Sequence, residues 1–277
     1  MQIGHLIVAF GPAIACLLLI SHQPQAIILA LSSSFFFLMG QVCASIVWIS
    51  LVPLRSITPF QLVVRVIVLE LTRYVYYRLY EAAELSFTVM TPSVSIYPLQ
   101  DISSSIVSGM GFGLMHTVTL YGILLSYSTG DATLFSPRCE QMSAFTLAAW
   151  LSLAFNALHV LLMILAFDGY RRGSRLRIGL AGVLHLTAEL LTLLNMAKGG
   201  CAVMIPVEFA LVGVVGLLTR IVTRQPGYRS SLRDRDGLLK LFGAGRRRSD
   251  ATDSKIIDSA PPPLRPNSSV QMDDKYR

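Results

Sequence analysis

The chain has 277 residues, of which 53% are hydrophobic and 14% are charged, and its formal net charge is +7. A soluble domain would carry about 25% charged residues, so the composition argues against a soluble globular protein. The apolar residues fall in blocks, which indicates a polytopic membrane protein. From Arg220 onward there are 13 basic and 7 acidic residues, a net +6, and the remainder carries only +1. The basic excess therefore belongs to a tail, and it does not indicate nucleic-acid binding.

The first two apolar blocks, residues 3–21 and 26–52, are predicted to be transmembrane helices. No basic residue precedes the first block, so it lacks the charged region of a signal peptide and is interpreted as a membrane helix. Pro12 predicts a kink near Gly11. The short link between the blocks predicts an antiparallel helix pair.

The third block, residues 60–80, is apolar and aromatic but contains four charged residues, among them Glu70 and Arg73. These two are three positions apart and can meet on one helix face. Charges at membrane depth are costly and normally face the protein interior in pairs. The sequence therefore predicts an intramembrane charge pair. Residues 81–101 are predicted to form the longest internal loop.

The fourth block, residues 102–128, has small residues along one helix face, at Ser105, Gly109, Gly113 and Thr117. In a bilayer, close backbone approach across small residues brings helices together, and Gly-x-x-x-Gly is the sequence signature of such contacts. The contact could lie within the chain's own bundle or with another subunit. Because small-x-x-x-small is a general packing device, we favour the first interpretation and keep the second open.

The last three blocks, residues 142–167, 178–196 and 201–222, complete an all-α polytopic membrane domain of seven transmembrane helices over residues 1–222. Residues 223–277 are basic and rich in Ser, Gly and Pro, and are predicted to be a disordered cytosolic tail. Four arginines between the fifth and sixth blocks lie two spans away from the tail and share its side. Basic residues favour the cytosolic side, so the N-terminus is expected outside, in the lumen or the extracellular space.

Two histidines, His159 and His185, fall in the fifth and sixth blocks, and Glu189 follows His185 by one helical turn. They could be a metal pair, a general base or hydrogen-bonding posts between helices. Spacing supplies no third metal ligand, so we predict neither a metal site nor a cofactor. Buried polar groups need partners in lipid, which favours polar posts.

Catalytic frames are absent from the sequence. An intramembrane aspartyl protease needs two aspartates on facing helices, but Asp101, Asp131 and Asp168 are predicted outside the spans. No nucleophile–base frame is recognisable either, so no catalytic residue is predicted. Cys139 and Cys201 lie at segment edges expected on the outer side, where they could form a disulfide whose geometry the sequence does not supply.

Motifs in the same order and spacing resemble the anterior-pharynx-defective (Aph) family, a membrane subunit of the gamma-secretase complex. The resemblance covers roughly residues 8 to 220, with Thr117 in place of the family's third glycine and Met196 in place of a proline. The matching segments are Val8-Ala9-Phe10-Gly11-Pro12-Ala13, Ala44-Ser45-Ile46-Val47-Trp48, residues 70–78, Ser108-Gly109-Met110-Gly111-Phe112-Gly113, His159, His185 and Phe167-Asp168 followed by Arg171-Arg172.

The resemblance implies a non-catalytic scaffold that assembles presenilin, nicastrin and presenilin enhancer protein for the cleavage of type I membrane proteins. It also implies that the glycine face acts in assembly and that the two histidines act in presenilin contact and complex activity. The expected location is the membranes of the endoplasmic reticulum, Golgi, plasma membrane and endosomes, in contact with lipids. The alternatives are a seven-span receptor, whose outer loops would usually be longer, and a transporter, which would show two repeats with broken helices.

Overall fold

The computed structural model describes residues 2–20, 23–54, 57–90, 101–126, 135–136 and 139–224. Seven long helices make up nearly all of this part of the chain. The predicted tail, including residue Asn267, lies outside the described residues. The elements are α1 Gln2–Ile20, α2 Pro24–Ser50, α3 Thr58–Met90, α4 Asp101–Ser126, β1 Phe135–Ser136, β2 Cys139–Ser143, α5 Ala144–Arg171, α6 Arg175–Leu191, α7 Gly200–Thr223 and the 3-10 helices Val52–Leu54 and Thr192–Met196.

The helices have the dimensions of membrane spans. Within the described ranges, α2, α4, α5, α7 and α6 with its 3-10 continuation are each long and apolar enough to cross a bilayer. Helix α1 is equally apolar but shorter, over Ile3–Leu19. Helix α3 is the longest, at 33 residues, but carries four charged residues from Arg65 to Arg78. The predicted all-α, seven-helix membrane fold is confirmed, and the chain is a multi-pass membrane protein.

Helix α3 is longer than the sequence predicted. It continues to Met90, through the first half of the predicted loop, because residues 81–90 contain good helix formers and no proline or glycine. The guanidinium of Arg171, at the end of α5, lies 3.6 Å from the carboxylate of Glu84 in this extension. The rest of the predicted loop, residues 91–100, lies outside the described residues.

Helix α5 is the centre of the bundle. It packs against α1, α4, α6 and α7, and 72% of its membrane-crossing stretch is buried, against 28% for α2 and 22% for α7. Its side chains Phe155, Leu158, Leu162 and Leu165 form one core with Met204 of α7. The outer faces of α2 and α7 are lined by exposed isoleucine, leucine and valine side chains, which suit contact with lipid.

A tight turn joins α5 to α6. Gly173 has φ +61°, a left-handed conformation that glycine adopts without steric cost, and the Ser174 N–H donates to the Gly169 carbonyl at 2.9 Å. The Asp168 carboxylate accepts from Arg172 Nε at 2.8 Å and also contacts Arg177. Helix α5 continues four residues past the predicted end of the fifth span at Phe167, so Asp168 lies in its last turn. Asp101 is the first residue of α4.

A disulfide joins Cys139 and Cys201, whose Cα atoms are 6.2 Å apart. Cys139 opens β2, which pairs with β1 in an antiparallel hairpin just before α5, and Cys201 lies in the first turn of α7. The sequence had left this bridge open. The bond therefore fixes the connection before α5 to the start of α7, at one end of the bundle.

Candidate functional site: a polar network at membrane depth

The glycine face of α4 packs against α5 of the same chain. A Cβ added to Gly109 would lie 2.5 Å from the Cα of Val160, and one added to Gly113 would lie 2.9 Å from the Cα of Asn156. Both distances are below any real Cβ contact, so the two helix backbones touch at these glycines. Thr117 is fully buried, and its hydroxyl donates to the Gly113 carbonyl at 3.1 Å. In this structure, the glycine face of α4 is therefore covered by α5 of the same chain, as the first of the two interpretations expects.

The opposite face of α4 packs equally closely against α2. A side chain at Gly111 would overlap the Ala30 carbonyl and the Ser33 hydroxyl. The Ser34 hydroxyl lies 2.9 Å from the Gly111 carbonyl, so the two helices also share a hydrogen bond. Glycines on both faces therefore place α4 between α2 and α5 at close distance.

This close packing brings the predicted charge pair and the histidines together. Arg73 is fully buried on α3 and contacts the carboxylate of Glu70, one turn earlier on the same face. The same oxygen, Glu70 Oε1, lies 2.6 Å from Nδ1 of His185 on α6. His185 therefore donates its Nδ1–H to a carboxylate that Arg73 also contacts. Glu70 therefore neutralises the charge of Arg73 within α3 and also links α3 to α6 through His185.

His159 contacts a second histidine that the sequence did not single out. Its Nε2 lies 2.8 Å from Nδ1 of His116 on α4, and its Nδ1 lies 3.4 Å from an Arg73 guanidinium nitrogen. The position of His116 in the sequence could have indicated this contact, because His116 follows Gly109 by seven residues and Gly113 by three. It therefore lies on the face that meets α5.

The tautomers of the two histidines are constrained by this arrangement. The free nitrogen of His116, Nε2, lies 3.4 Å from a guanidinium nitrogen of Arg65. An arginine only donates, and each neutral imidazole has one N–H and one acceptor nitrogen. If His159 donates to His116, the ring of His159 can accept from Arg73, but the remaining N–H of His116 faces Arg65. If His116 donates, the reverse holds, so only one of the two arginine contacts can be a hydrogen bond at a time.

Arg65 extends the network to two further helices. It lies 3.1 Å from Oε2 of Glu189 on α6, and its Nε donates to Oε1 of Gln41 on α2 at 3.2 Å. Glu189 shares a helix face with His185, as its spacing indicated. However, the closest approach of its Oε1 to His185 Nε2 is 3.9 Å, which is too long for a hydrogen bond. Arg65 and Gln41 were not predicted as site residues, because their partners lie on other helices.

The network joins five helices by polar contacts at membrane depth. Charged and imidazole groups from α3, α4, α5 and α6, with an amide from α2, contact one another rather than lipid. Within the described residues, no three histidine, cysteine or carboxylate groups come together as metal ligands. The geometry suits cross-linking of helices, because each polar group is costly in lipid unless another helix supplies its partner.

Fold and site together define a class of protein, a polytopic helical membrane protein whose membrane-depth charges and histidines bind one another. The family described as "Aph-1 protein" matches residues 1–225. The chain therefore belongs to the Aph-1 family, and the resemblance seen in the sequence is confirmed.

Several relatives are similar over most of their length. The chain is 30% identical to "Gamma-secretase subunit APH1-like" of Arabidopsis thaliana over 215 residues, which is 75% of this chain and 86% of that protein. It is 29% identical to "Gamma-secretase subunit Aph-1b" of Danio rerio over 202 residues, 69% of this chain and 78% of the relative. "Gamma-secretase subunit Aph-1" of Drosophila melanogaster is 28% identical over 193 residues, 69% of this chain and 80% of the relative.

Proposed function

We propose that this protein is a non-catalytic scaffold subunit of a gamma-secretase complex. In that complex it would stabilise presenilin and nicastrin, together with presenilin enhancer protein, for the cleavage of type I membrane proteins. Family membership and the relatives that are named gamma-secretase subunits support this proposal. The observation that carries the scaffold role is the internal polar network, in which Glu70 binds both Arg73 and His185.

The same network supports the absence of catalysis by this subunit. Glu70, His159 and His185 could each act as a base or nucleophile partner at membrane depth, and each instead contacts another side chain of the chain. Asp168 lies at the end of α5 and is bound by Arg172 and Arg177. A dyad of intramembrane aspartates, which an aspartyl protease needs, would then have to come from another subunit.

The proposal extends to orientation and compartment. Disulfides form in oxidising compartments, so the Cys139–Cys201 bond favours a lumenal position for the starts of α5 and α7. The turn from Arg171 to Arg177 is at the other end of α5 and carries four arginines, which favours the cytosol. Seven spans then place the N-terminus in the lumen and the C-terminus in the cytosol. The protein would lie in the membranes of the endoplasmic reticulum, Golgi, plasma membrane and endosomes.

Neither alternative is favoured by what the chain resembles or by its helices. Pro12 and Pro206, the positions where a transporter could have broken helices, lie within the continuous helices α1 and α7. A seven-span receptor would not be expected to match the Aph-1 family over residues 1–225.

Co-purification tests the proposal. The full-length chain, tagged and extracted in mild detergent, should retain presenilin and nicastrin, and the complex should cleave a type I substrate. The chain alone should cleave nothing. Cleavage by the isolated chain, or recovery of the chain without presenilin, would exclude the scaffold role.

A further inference from the structure

Glu208, in the middle of α7, has no partner for its charge. Its side chain is 0% exposed, and neither carboxylate oxygen has a hydrogen-bond partner among the described residues. An ionised carboxylate without donors is very costly in a protein interior at membrane depth. The polar network around the histidines does not supply a partner for this carboxylate, because its residues lie on other helices.

The groups around Glu208 do not supply a positive charge. Helix α7 packs against α5, α6 and the 3-10 helix Thr192–Met196. Helix α6 supplies a second buried acidic group, Glu189. Glu189 uses Oε2 to bind Arg65 at 3.1 Å, and its Oε1 has no hydrogen-bond partner among the described residues. The guanidinium of Arg65 thus binds Glu189, and in the part of the chain that the structure describes neither oxygen of Glu208 is bound.

The two ion pairs of the described network leave no guanidinium of that network for Glu208. Arg73 pairs with Glu70, and Arg65 pairs with Glu189. Among the described residues, an ionised Glu208 would therefore be a further buried carboxylate without a cation of its own, which is costly.

We propose that Glu208 is a proton-binding site, so that α7 carries a buried carboxylic acid at this position. Protonation removes the buried charge, for which no described residue supplies a donor. The proton is bound in the folded domain and released when Glu208 meets water. The stabilisation is therefore present at low pH and lost as pH rises.

Infrared spectroscopy of the full-length chain in lipid nanodiscs tests the proton directly. The carboxylic-acid C=O band of the wild type should be lost in Glu208→Gln, which keeps the shape but has no proton to release. At neutral pH this variant should melt within about 2 °C of the wild type. As the pH rises above neutral, the wild type should lose stability and the variant should not.

Glu189→Gln is the matched control. It removes the carboxylate that Arg65 binds, so it should lower the melting temperature at every pH. If Glu208→Gln destabilises as much as Glu189→Gln at neutral pH, or leaves the band unchanged, Glu208 is ionised and the proposal is overturned. Stability of the wild type that depends on sodium or calcium, and is lost in Glu208→Gln, would overturn it in favour of a metal cation.

Discussion

Nδ1 of His185 lies 2.6 Å from Oε1 of Glu70, which joins α6 to α3 across 115 positions of sequence. The same carboxylate contacts Arg73, so a single group neutralises a buried guanidinium and orients an imidazole. Such shared partners make the contributions of the three residues interdependent. Substitutions in this cluster should therefore be interpreted in pairs.

The Glu70–Arg73 pair is predicted to show strong coupling in a double-mutant cycle. Glu70→Leu or Arg73→Met alone leaves one charge buried without its partner, at an expected cost of about 3 kcal/mol. The double variant should be milder than either single variant. Folding yield and melting temperature in detergent measure this. Arg78 and Glu81, an exposed pair on the same helix at 3.8 Å, provide the control, and Arg78→Met should have little effect. Damage that is additive in the double variant would contradict direct pairing.

Gly109→Leu and Gly113→Leu are predicted to destabilise the subunit itself. A Leu side chain at either position would collide with the backbone of α5, at a cost of about 1–3 kcal/mol or more. Gly122→Leu, on the same helix with no atom within 4 Å of its added Cβ, should be tolerated. Detergent melting of the isolated subunit and recovery of the complex should fall together. If the subunit stays stable and only assembly is lost, the face also contacts another subunit.

His159 and His185 are predicted to act as hydrogen-bonding posts. Asn at position 185 can place an amide donor near the position of Nδ1 and should partly restore the contact with Glu70, whereas Ala should not. Asn or Gln at position 159 should likewise perform better than Ala. Complex yield and proteolytic output should fall in parallel across the series. Full assembly with no output in His185→Gln, together with cleavage by the isolated subunit, would indicate a catalytic histidine instead.

The disulfide is predicted to stabilise the end of the bundle that is proposed to be lumenal. Replacing Cys139 and Cys201 together by Ser opens a bridge between residues 62 positions apart and should cost at most about 4 kcal/mol. Non-reducing peptide mapping tests the bond, and thermal melting measures its effect. Cys16→Ser and Cys43→Ser, at free exposed cysteines, are controls that should change neither. Equal thiol labelling at all four positions would contradict the bridge.

The topology predicts where glycosylation occurs. An acceptor site introduced into residues 129–137, in the segment before Cys139, should be modified, because this end is expected in the lumen. The natural site at Asn267 should remain unmodified. Gel mobility before and after glycosidase treatment reads out both sites. Modification of Asn267 would reverse the assigned orientation.

The seven helices could be predicted from the sequence because each corresponds to a continuous apolar block of the right length. Helix ends were less predictable. Residues 81–90 were predicted to be a loop, yet they continue α3. Their helix propensity could be read from the sequence, but the contact of Glu84 with Arg171 from α5 could not.

The site was predictable where both partners share one helix. Glu70 and Arg73 are one turn apart, so spacing alone suggested the pair. His116 and Arg65 were missed as site residues because their partners belong to other helices, and the rotation of each helix decides which groups meet. The spacing of His116 from Gly109 was the one available signal, and it requires knowing that α5 covers that face.

The histidine pair gives the network two alternative proton arrangements. In one, the imidazole of His159 accepts from Arg73, and in the other the imidazole of His116 accepts from Arg65. These arginines are eight residues apart on α3, about 12 Å along the helix axis. The two arrangements differ in which arginine donates to the histidine pair. The placement of the imidazole protons therefore decides at which of these two points α3 is hydrogen-bonded to α4 or α5.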